Sequence, residues 1–128
     1  MTFRFIMMPS KTDIGKFAED TACQYLISNN YLILERNWRY KRAEIDIIAN
    51  DTSSDTLVFI EVKSRSYTFF GEPESSVSVK KQKLVSDAAS AYMEQIKYNW
   101  AVRFDIIGIV FENADKPSIS HFKDAYLL

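Results

Sequence analysis

The segments AEIDIIAN at residues 43–50 and LVFIEVKS at residues 57–64 decide the fold of this chain. Both are rich in β-branched residues, and the connection between them at 51–56 consists only of Asp, Thr and Ser. This combination is typical of two strands joined by a turn. We therefore predict strands at 44–50 and 57–64 that form an antiparallel hairpin symmetric about its turn.

The predicted hairpin has one apolar face and one face that ends in charged residues. Because side chains alternate across a strand, one face carries only apolar residues, namely Ile45, Ile47, Ala49, Val58, Ile60 and Val62. On the opposite face the predicted register pairs Asp46 with Glu61 and Glu44 with Lys63. The apolar face is expected to be core, and the charged end is the first candidate site.

The facing carboxylates of Asp46 and Glu61 indicate a cation site. Charges on a sheet face usually form solvated cross-strand ion pairs, and this is the alternative interpretation. Two opposed carboxylates repel each other, however, and a divalent cation relieves the repulsion. Mg2+ characteristically takes one or two carboxylates, several waters and a phosphate oxygen. The pattern therefore predicts an Mg2+ or Mn2+ site suited to phosphodiester chemistry.

Around the hairpin, hydrophobic periodicity predicts two helices. Apolar residues recur at spacings of three and four from Asp13 onward, with Thr12 or Asp13 as the cap. Asn29 and Asn30 tolerate the left-handed turn that ends this helix. The same spacing over residues 80–97, preceded by Ser78 as a cap, predicts the second helix.

Three further strands and one loop complete the prediction. The strands are expected at 32–38, 104–111 and 119–122, with a basic turn at 39–42 after the first of them. The nearly continuous apolar run at 104–111 indicates a strand covered on both faces, and the last strand is expected at an edge. Residues 65–78 predict a loop, whose aromatic side chains suggest that it packs against the domain; they are Tyr67, Phe69 and Phe70.

Composition indicates one domain in a reducing compartment. The chain has 128 residues, of which 47% are hydrophobic, enough for one core. Its single cysteine, Cys23, cannot form an internal disulfide and is expected to be a buried thiol in a cytoplasmic protein. No apolar run approaches the length that crosses a bilayer, so no membrane partner is expected. We predict a flexible segment at 1–12 and a single domain at 13–128.

The chain resembles the uncharacterised bacterial YraN-type family from about Gly15 to its C-terminus. The resemblance is carried by Gly15, Ala18-Glu19, Arg36-Asn37-Trp38-Arg39, Glu44-Ile45-Asp46-Ile47-Ile48-Ala49, Phe59-Ile60-Glu61-Val62-Lys63, Arg65, Phe70-Gly71-Glu72-Pro73, Lys81-Gln82 and Arg103-Phe104-Asp105. That family is similar to archaeal Holliday-junction resolvases and to the PD-(D/E)XK nuclease superfamily. The resemblance implies an α/β, restriction-endonuclease-like fold with a mixed central sheet of about five strands flanked by helices.

The resemblance also implies roles for individual residues. Asp46 and Glu61 would bind the metal ion, with the Val62 carbonyl as a further ligand, and Lys63 would orient the attacking water and stabilise the charged transition state. Glu19 would complete the site or bind a second metal. Its alternative is an exposed helix glutamate.

Four further positions each have two interpretations or depart from the family pattern. Gln82 matches a polar residue of the following helix, and an ordinary surface glutamine is the alternative. Glu44 is expected either to pair with Lys63 or to join the metal site. Ala18 and Ala43 stand where that family tends to have Gly, and their methyl groups can crowd a close approach.

Two basic clusters flank the hairpin and are predicted to contact nucleic-acid phosphates. They are Arg36, Arg39, Lys41 and Arg42 before the acidic motif, and Arg65, Lys80, Lys81 and Lys83 after it. Because 16 basic residues nearly balance 17 acidic ones, we expect modest affinity that falls steeply with salt, aided by a partner or by formation of a homodimer.

The leading hypothesis is an Mg2+- or Mn2+-dependent nuclease acting on branched or structured DNA. The first alternative is a nucleic-acid-binding module that keeps the nuclease fold without turnover. The second is a structural or interaction protein whose acidic face is merely solvated. The single histidine, His121, has no histidine partner and is expected to be structural.

Overall fold

A computed structural model describes residues 11–65, 77–111 and 116–126 of the chain. Its elements, in chain order, are α1 (Lys11–Ser28), β1 (Tyr31–Tyr40), β2 (Ala43–Asp51), β3 (Thr56–Arg65), α2 (Val79–Ile96), β4 (Val102–Phe111) and β5 (Pro117–Phe122). The strands form one five-stranded sheet in the order β1-β2-β3-β4-β5. Among the strands that the structure describes, only the β3–β4 pair is parallel, and α2 provides the crossover that a parallel pair requires. The predicted α/β architecture, a mixed five-stranded sheet flanked by helices, is confirmed.

The predicted residues mark the end of α1 and the start of α2, but the predicted cap of α1 is wrong, since Thr12 and Asp13 lie inside that helix. Asn30 follows α1 with a φ of 68°, in the left-handed region that Asn tolerates. The Ser78 side chain accepts a hydrogen bond from the Lys81 N–H at 3.2 Å and caps α2. The first helix begins at Lys11, two residues before the predicted start at Asp13. Most of the predicted flexible segment 1–12, and the aromatic residues of the predicted loop, lie outside the described residues.

Each helix covers one face of the sheet, so the core has two halves. On the α1 face, small residues of the helix pack against aliphatic residues of β2, β3 and β4, and Cys23 is buried there as predicted. Burial raises the pKa of the Cys23 thiol, which therefore stays protonated. On the α2 face, Val85, Ala88 and Tyr92 pack against Ile48 and Phe59. β4 lies between β3 and β5 with both faces covered, and β5 is the predicted edge strand.

The predicted hairpin register is confirmed near the turn and wrong at the charged end. The partners Ile47–Ile60, Ile48–Phe59 and Ala49–Val58 are those expected, but pairing between β2 and β3 stops at Ile47 and Ile60. Beyond that point β2 continues to pair with β1 alone, with Ile45 opposite Trp38. The apolar-face prediction was also wrong for Ile45, which lies in the α2 half of the core, while Ile47 and Ala49 lie in the α1 half.

A hydrogen-bonded ionic network is buried on the α1 face around Asp105, whose exposed fraction is 0%. Arg103 donates to both carboxylate oxygens of Asp105 at 2.9 Å and to Asp51 at 3.1 Å. His121 Nε2 lies 2.7 Å from Asp105, and its Nδ1 lies 2.9 Å from the Tyr25 hydroxyl. His121 thus joins two elements through polar contacts, which agrees with its predicted structural role.

Among the described residues, no helix is long and apolar enough to cross a membrane.

Candidate functional site

The candidate site lies where β2 separates from β3, and Asp46 marks the point of separation. In place of a main-chain carbonyl, the Asp46 carboxylate accepts a hydrogen bond from the Val62 N–H, at 2.7 Å from Oδ2. This contact satisfies a backbone donor that the interrupted ladder would otherwise leave without a main-chain partner. It also fixes the carboxylate in the gap between the two strands.

Two further carboxylates lie within electrostatic reach of Asp46. Glu61 belongs to β3 on the α2 face, and Glu19 approaches from α1 with 18% of its side chain exposed. Burial, then the charge of Glu61, and to a smaller extent that of Glu19, raise the pKa of Asp46 to about 7, against the opposing effects of the Val62 N–H and Lys81. The charges of both other predicted acidic residues therefore act on Asp46, although Asp46 and Glu61 are not ladder partners.

A lysine neutralises Glu61 in this arrangement. The Lys81 ammonium, in the first turn of α2, forms an ion pair with Glu61 Oε1. Within the described part of the chain, no three His, Cys, Asp or Glu side chains are placed close enough to hold a metal ion. A pair of carboxylates is sufficient for Mg2+, which keeps several waters. Asp46 and Glu61 are the two carboxylates that would hold such an ion, and Lys81 would have to move away from Glu61.

The other three predicted site residues lie in three different places. Glu44 does not pair with Lys63; it lies opposite Arg39 of β1, and the two side chains form an ion pair at 2.9 Å. The reason is that β2 follows β1, not β3, beyond Ile47. Alternation along β3 places Lys63 on the same face as Glu61, beside Gly108 of β4. Gln82 is half-buried and donates to the Val77 carbonyl at 2.8 Å, so its amide is used in holding the start of α2.

A cleft of about 330 Å³ opens between the start of β2 and the start of α2. Asp46 and Glu44 contribute acidic groups to its wall, and cationic side chains surround them. The cationic lining residues are Arg42, Lys80 and Lys81. Three residues predicted to bind nucleic acid thus border the candidate site.

A second cavity, of about 600 Å³, lies on the α1 side of the same site. It is lined by Gly15, Lys16, Glu19, Arg36 and Asn37. Arg36 forms an ion pair with Asp20 at 2.7 Å and lies 3.9 Å from Glu19, so part of its charge is already compensated. The sequence did not indicate Lys16 or Asn37 as site residues, because only the fold places them beside Glu19.

The remaining predicted phosphate contacts lie in other settings. Lys83 pairs with Asp87 along α2 at 3.9 Å, and the Lys41 ammonium lies 5.3 Å from the centre of the Tyr40 ring. Arg65 ends β3, and its side chain lies outside the described residues. Lys41 and Lys83 therefore belong to the outer surface, whereas Arg42, Lys80 and Lys81 belong to the cleft.

Tyr126 is a site neighbour that the sequence did not indicate. Its ring stacks on Phe104 at 5.4 Å, and it shares a small cavity with Glu44 and Glu61. Burial and then the charges of Glu61 and Asp105 raise the pKa of its hydroxyl, which therefore stays protonated beside the acidic residues. The return of the chain to β4 after β5, fixed by the Ala125 N–H on the Phe104 carbonyl at 2.7 Å, places it there.

The raised pKa of Asp46 predicts a measurable pH dependence of stability. Since its pKa is about 7 in the folded protein and about 3.9 when unfolded, the folded state binds more protons between these values. The free energy of unfolding is therefore expected to fall as pH rises from about 4 to about 7.

In Asp46→Asn, which keeps an acceptor for the Val62 N–H, this loss of stability should be absent. Urea denaturation in EDTA should find the variant about equal to wild type near pH 4 and more stable by about 2 to 4 kcal/mol at pH 8. Parallel pH profiles for the two proteins would contradict the crowding of acids at Asp46.

Comparison with known proteins places the chain in a family. A model of the uncharacterised protein family UPF0102 matches residues 18–109. A UPF0102 protein of Clostridium botulinum is 45% identical over 116 residues, which cover 89% of this chain and 93% of the relative. Another, of Bacteroides thetaiotaomicron, is 41% identical over 119 residues, covering 93% of this chain and 96% of the relative. The resemblance to the YraN-type family is confirmed, and the chain belongs to the uncharacterised protein family UPF0102.

Proposed function

We propose that this protein is an Mg2+- or Mn2+-dependent nuclease that hydrolyses phosphodiester bonds in branched or structured DNA. The observation that carries the proposal is Asp46, which is held between two strands beside Glu61 and Glu19 and has its pKa raised to about 7 by them and by burial. Such crowding of carboxylates costs stability, and a divalent cation would relieve it. Perturbed acids of this kind cluster at functional sites.

Each residue of the candidate site has a role in the proposed reaction. Asp46 and Glu61 would hold the ion, and the Val62 N–H would keep the Asp46 carboxylate from rotating. A bound Mg2+ or Mn2+ would lower the pKa of a coordinated water and neutralise charge on the phosphate. Lys63, on the face of Glu61, would orient the attacking water and stabilise the pentacovalent transition state. Glu19 would approach the same centre from α1.

The surroundings of the site support a nucleic-acid strand as substrate. The cleft on the α2 side carries Arg42 and Lys80, and the cavity on the α1 side carries Lys16 and Arg36. Both cavities reach an acidic residue of the site, Asp46 in the first and Glu19 in the second. We infer that a strand crosses the end of the sheet from one cavity to the other, with the scissile phosphate over Asp46.

The proposal is tested by incubating the purified protein with junction, flap, single-stranded and duplex DNA, each with Mg2+, Mn2+ or EDTA. We expect metal-dependent cleavage, fastest on the branched or flapped substrates. The Asp46→Ala and Glu61→Ala proteins should leave all four substrates intact. Cleavage that persists in both variants, or in EDTA, would contradict the proposed role of these residues.

The cationic walls of the cleft predict the salt dependence of DNA binding. Each phosphate contact that is removed should reduce the slope of log affinity against log salt by roughly 0.7 to 0.9. In the double variant Arg42→Gln/Lys80→Gln the slope should therefore fall by about 1.5, measured by fluorescence anisotropy in EDTA. The matched control is Lys97→Gln/Lys123→Gln, which removes the same charge at exposed positions outside both cavities. Equal slopes in the two double variants would contradict phosphate contacts in the cleft.

The second candidate function is DNA binding without turnover, and the Lys81–Glu61 ion pair favours it. A permanent ion pair there would occupy the carboxylate that the metal needs. This alternative predicts salt-sensitive binding in the anisotropy measurement, together with intact DNA under every metal condition of the cleavage assay. The cleavage assay alone therefore distinguishes the two functions.

A further inference from the structure

The geometry points to Lys81 as an exchangeable counter-ion of the candidate site. In the metal-free protein it neutralises Glu61, and when a divalent cation binds Glu61 it is displaced outward onto a phosphate of the substrate. Lys81 is then a positioning residue that couples metal binding to substrate binding. The inference rests on the proposed function, of which it names one working part.

The burial of the two partners supports this exchange. Only 11% of the Glu61 side chain is exposed, whereas 46% of the Lys81 side chain is. The carboxylate is therefore fixed inside the site, while the ammonium stands at its mouth. A lysine has a flexible four-carbon stem and a compact charge, so it can change partners without movement of the backbone. The backbone of Lys81 is itself held, because its N–H donates to the Ser78 cap.

The charges around Lys81 determine the direction of its displacement. An ion of charge +2 between Asp46 and Glu61 would repel an ammonium that contacts the same carboxylate. Lys81 lines the cleft together with Arg42 and Lys80, so outward movement brings it to the wall where a phosphate is expected. A phosphate would compensate the charge that Glu61 no longer compensates. By linkage, bound metal should then raise the affinity for phosphate by the same factor by which bound phosphate raises the affinity for metal.

The test compares Mn2+ affinity in wild type and Lys81→Gln by calorimetry at pH 8, with Mn2+ as the only ligand. Because Gln removes the competing cation, the variant should bind Mn2+ about three- to tenfold more tightly than wild type. Lys81→Arg keeps the charge and should bind like wild type. Lys83→Gln is the matched control. It removes an equal charge two residues further along the same helix, where Lys83 pairs with Asp87. Its affinity should stay within about twofold of wild type.

A second measurement uses the metal-free protein. Without Lys81, Glu61 loses the ammonium that pairs with it. Lys81→Gln should therefore melt below wild type in EDTA at pH 8, and saturating Mn2+ should remove the difference. The inference would be overturned if Lys81→Gln bound Mn2+ no more tightly than wild type, or if Lys83→Gln showed an equal gain in affinity. The nuclease proposal would still stand in either case if wild type binds Mn2+ and cleaves DNA. A wild-type protein that binds no Mn2+ would overturn both.

Discussion

Asp46→Asn is expected to lower DNA cleavage at least about 1,000-fold while making the metal-free protein more stable at pH 8. A thousandfold loss corresponds to about 4 kcal/mol of transition-state stabilisation, which is the scale expected when a metal ligand is removed. The amide keeps an oxygen for the Val62 N–H, so the backbone arrangement should be retained. What it removes is the charge that Glu61 and Glu19 oppose.

The combination of lost activity and gained stability distinguishes a functional acid from a structural one. Asp87→Asn provides the control, since Asp87 is 57% exposed on α2 and its substitution makes the same change of charge. It should alter both the cleavage rate and the free energy of unfolding very little. Asp46→Asn that is inactive and also unfolded, or fully active, would contradict the account of Asp46.

Arg103→Met is expected to destabilise the protein by about 3 to 5 kcal/mol, because it leaves Asp105 buried without its guanidinium partner. Urea denaturation at pH 7 measures the loss. Lys97→Met is the control: Lys97 and Glu94 form an ion pair whose side chains are 80% and 81% exposed, and such pairs contribute under about 1 kcal/mol. Equal stability losses in the two variants would contradict the importance of the buried network.

The same network predicts the acid limit of stability. Burial alone would raise the pKa of Asp105, but hydrogen bonds from His121, Arg103 and the Asp124 N–H outweigh burial and lower it. The hydrogen bonds of Arg103 and Ser53 likewise lower the pKa of Asp51 in spite of burial. Groups with lowered folded pKa values contribute stability above their unfolded pKa of about 3.9, and that contribution is lost as pH falls through the folded values. With Asp46 acting in the opposite direction above about pH 4, metal-free wild type should be most stable near about pH 4.

Sequence reasoning predicted most of the fold because the periodicities and caps are local. The hairpin register near its turn followed from symmetric polar and apolar alternation, and Ile47–Ile60 is the last pair that obeys it. Asn30 and Ser78 were recognisable as helix boundaries because their side chains suit those positions in any fold.

The break at Asp46 was not predictable, because it depends on a competition between two neighbouring strands. Ile45 packs in the α2 half of the core together with Trp38 and Tyr40 of β1, and the pairing of β2 with β3 ends before it. Once the strands part, Glu44 meets Arg39 instead of Lys63. The same limit applies to Lys81, whose contact with Glu61 spans 20 positions and depends on how α2 docks.

The most direct test of the proposed metal site is anomalous diffraction from a crystal soaked in Mn2+ at pH 8. We predict one strong peak about 2.1 Å from carboxylate oxygens of both Asp46 and Glu61, with the Lys81 ammonium turned out into the cleft. A map with no peak at these carboxylates, and with Lys81 still paired with Glu61, would contradict it.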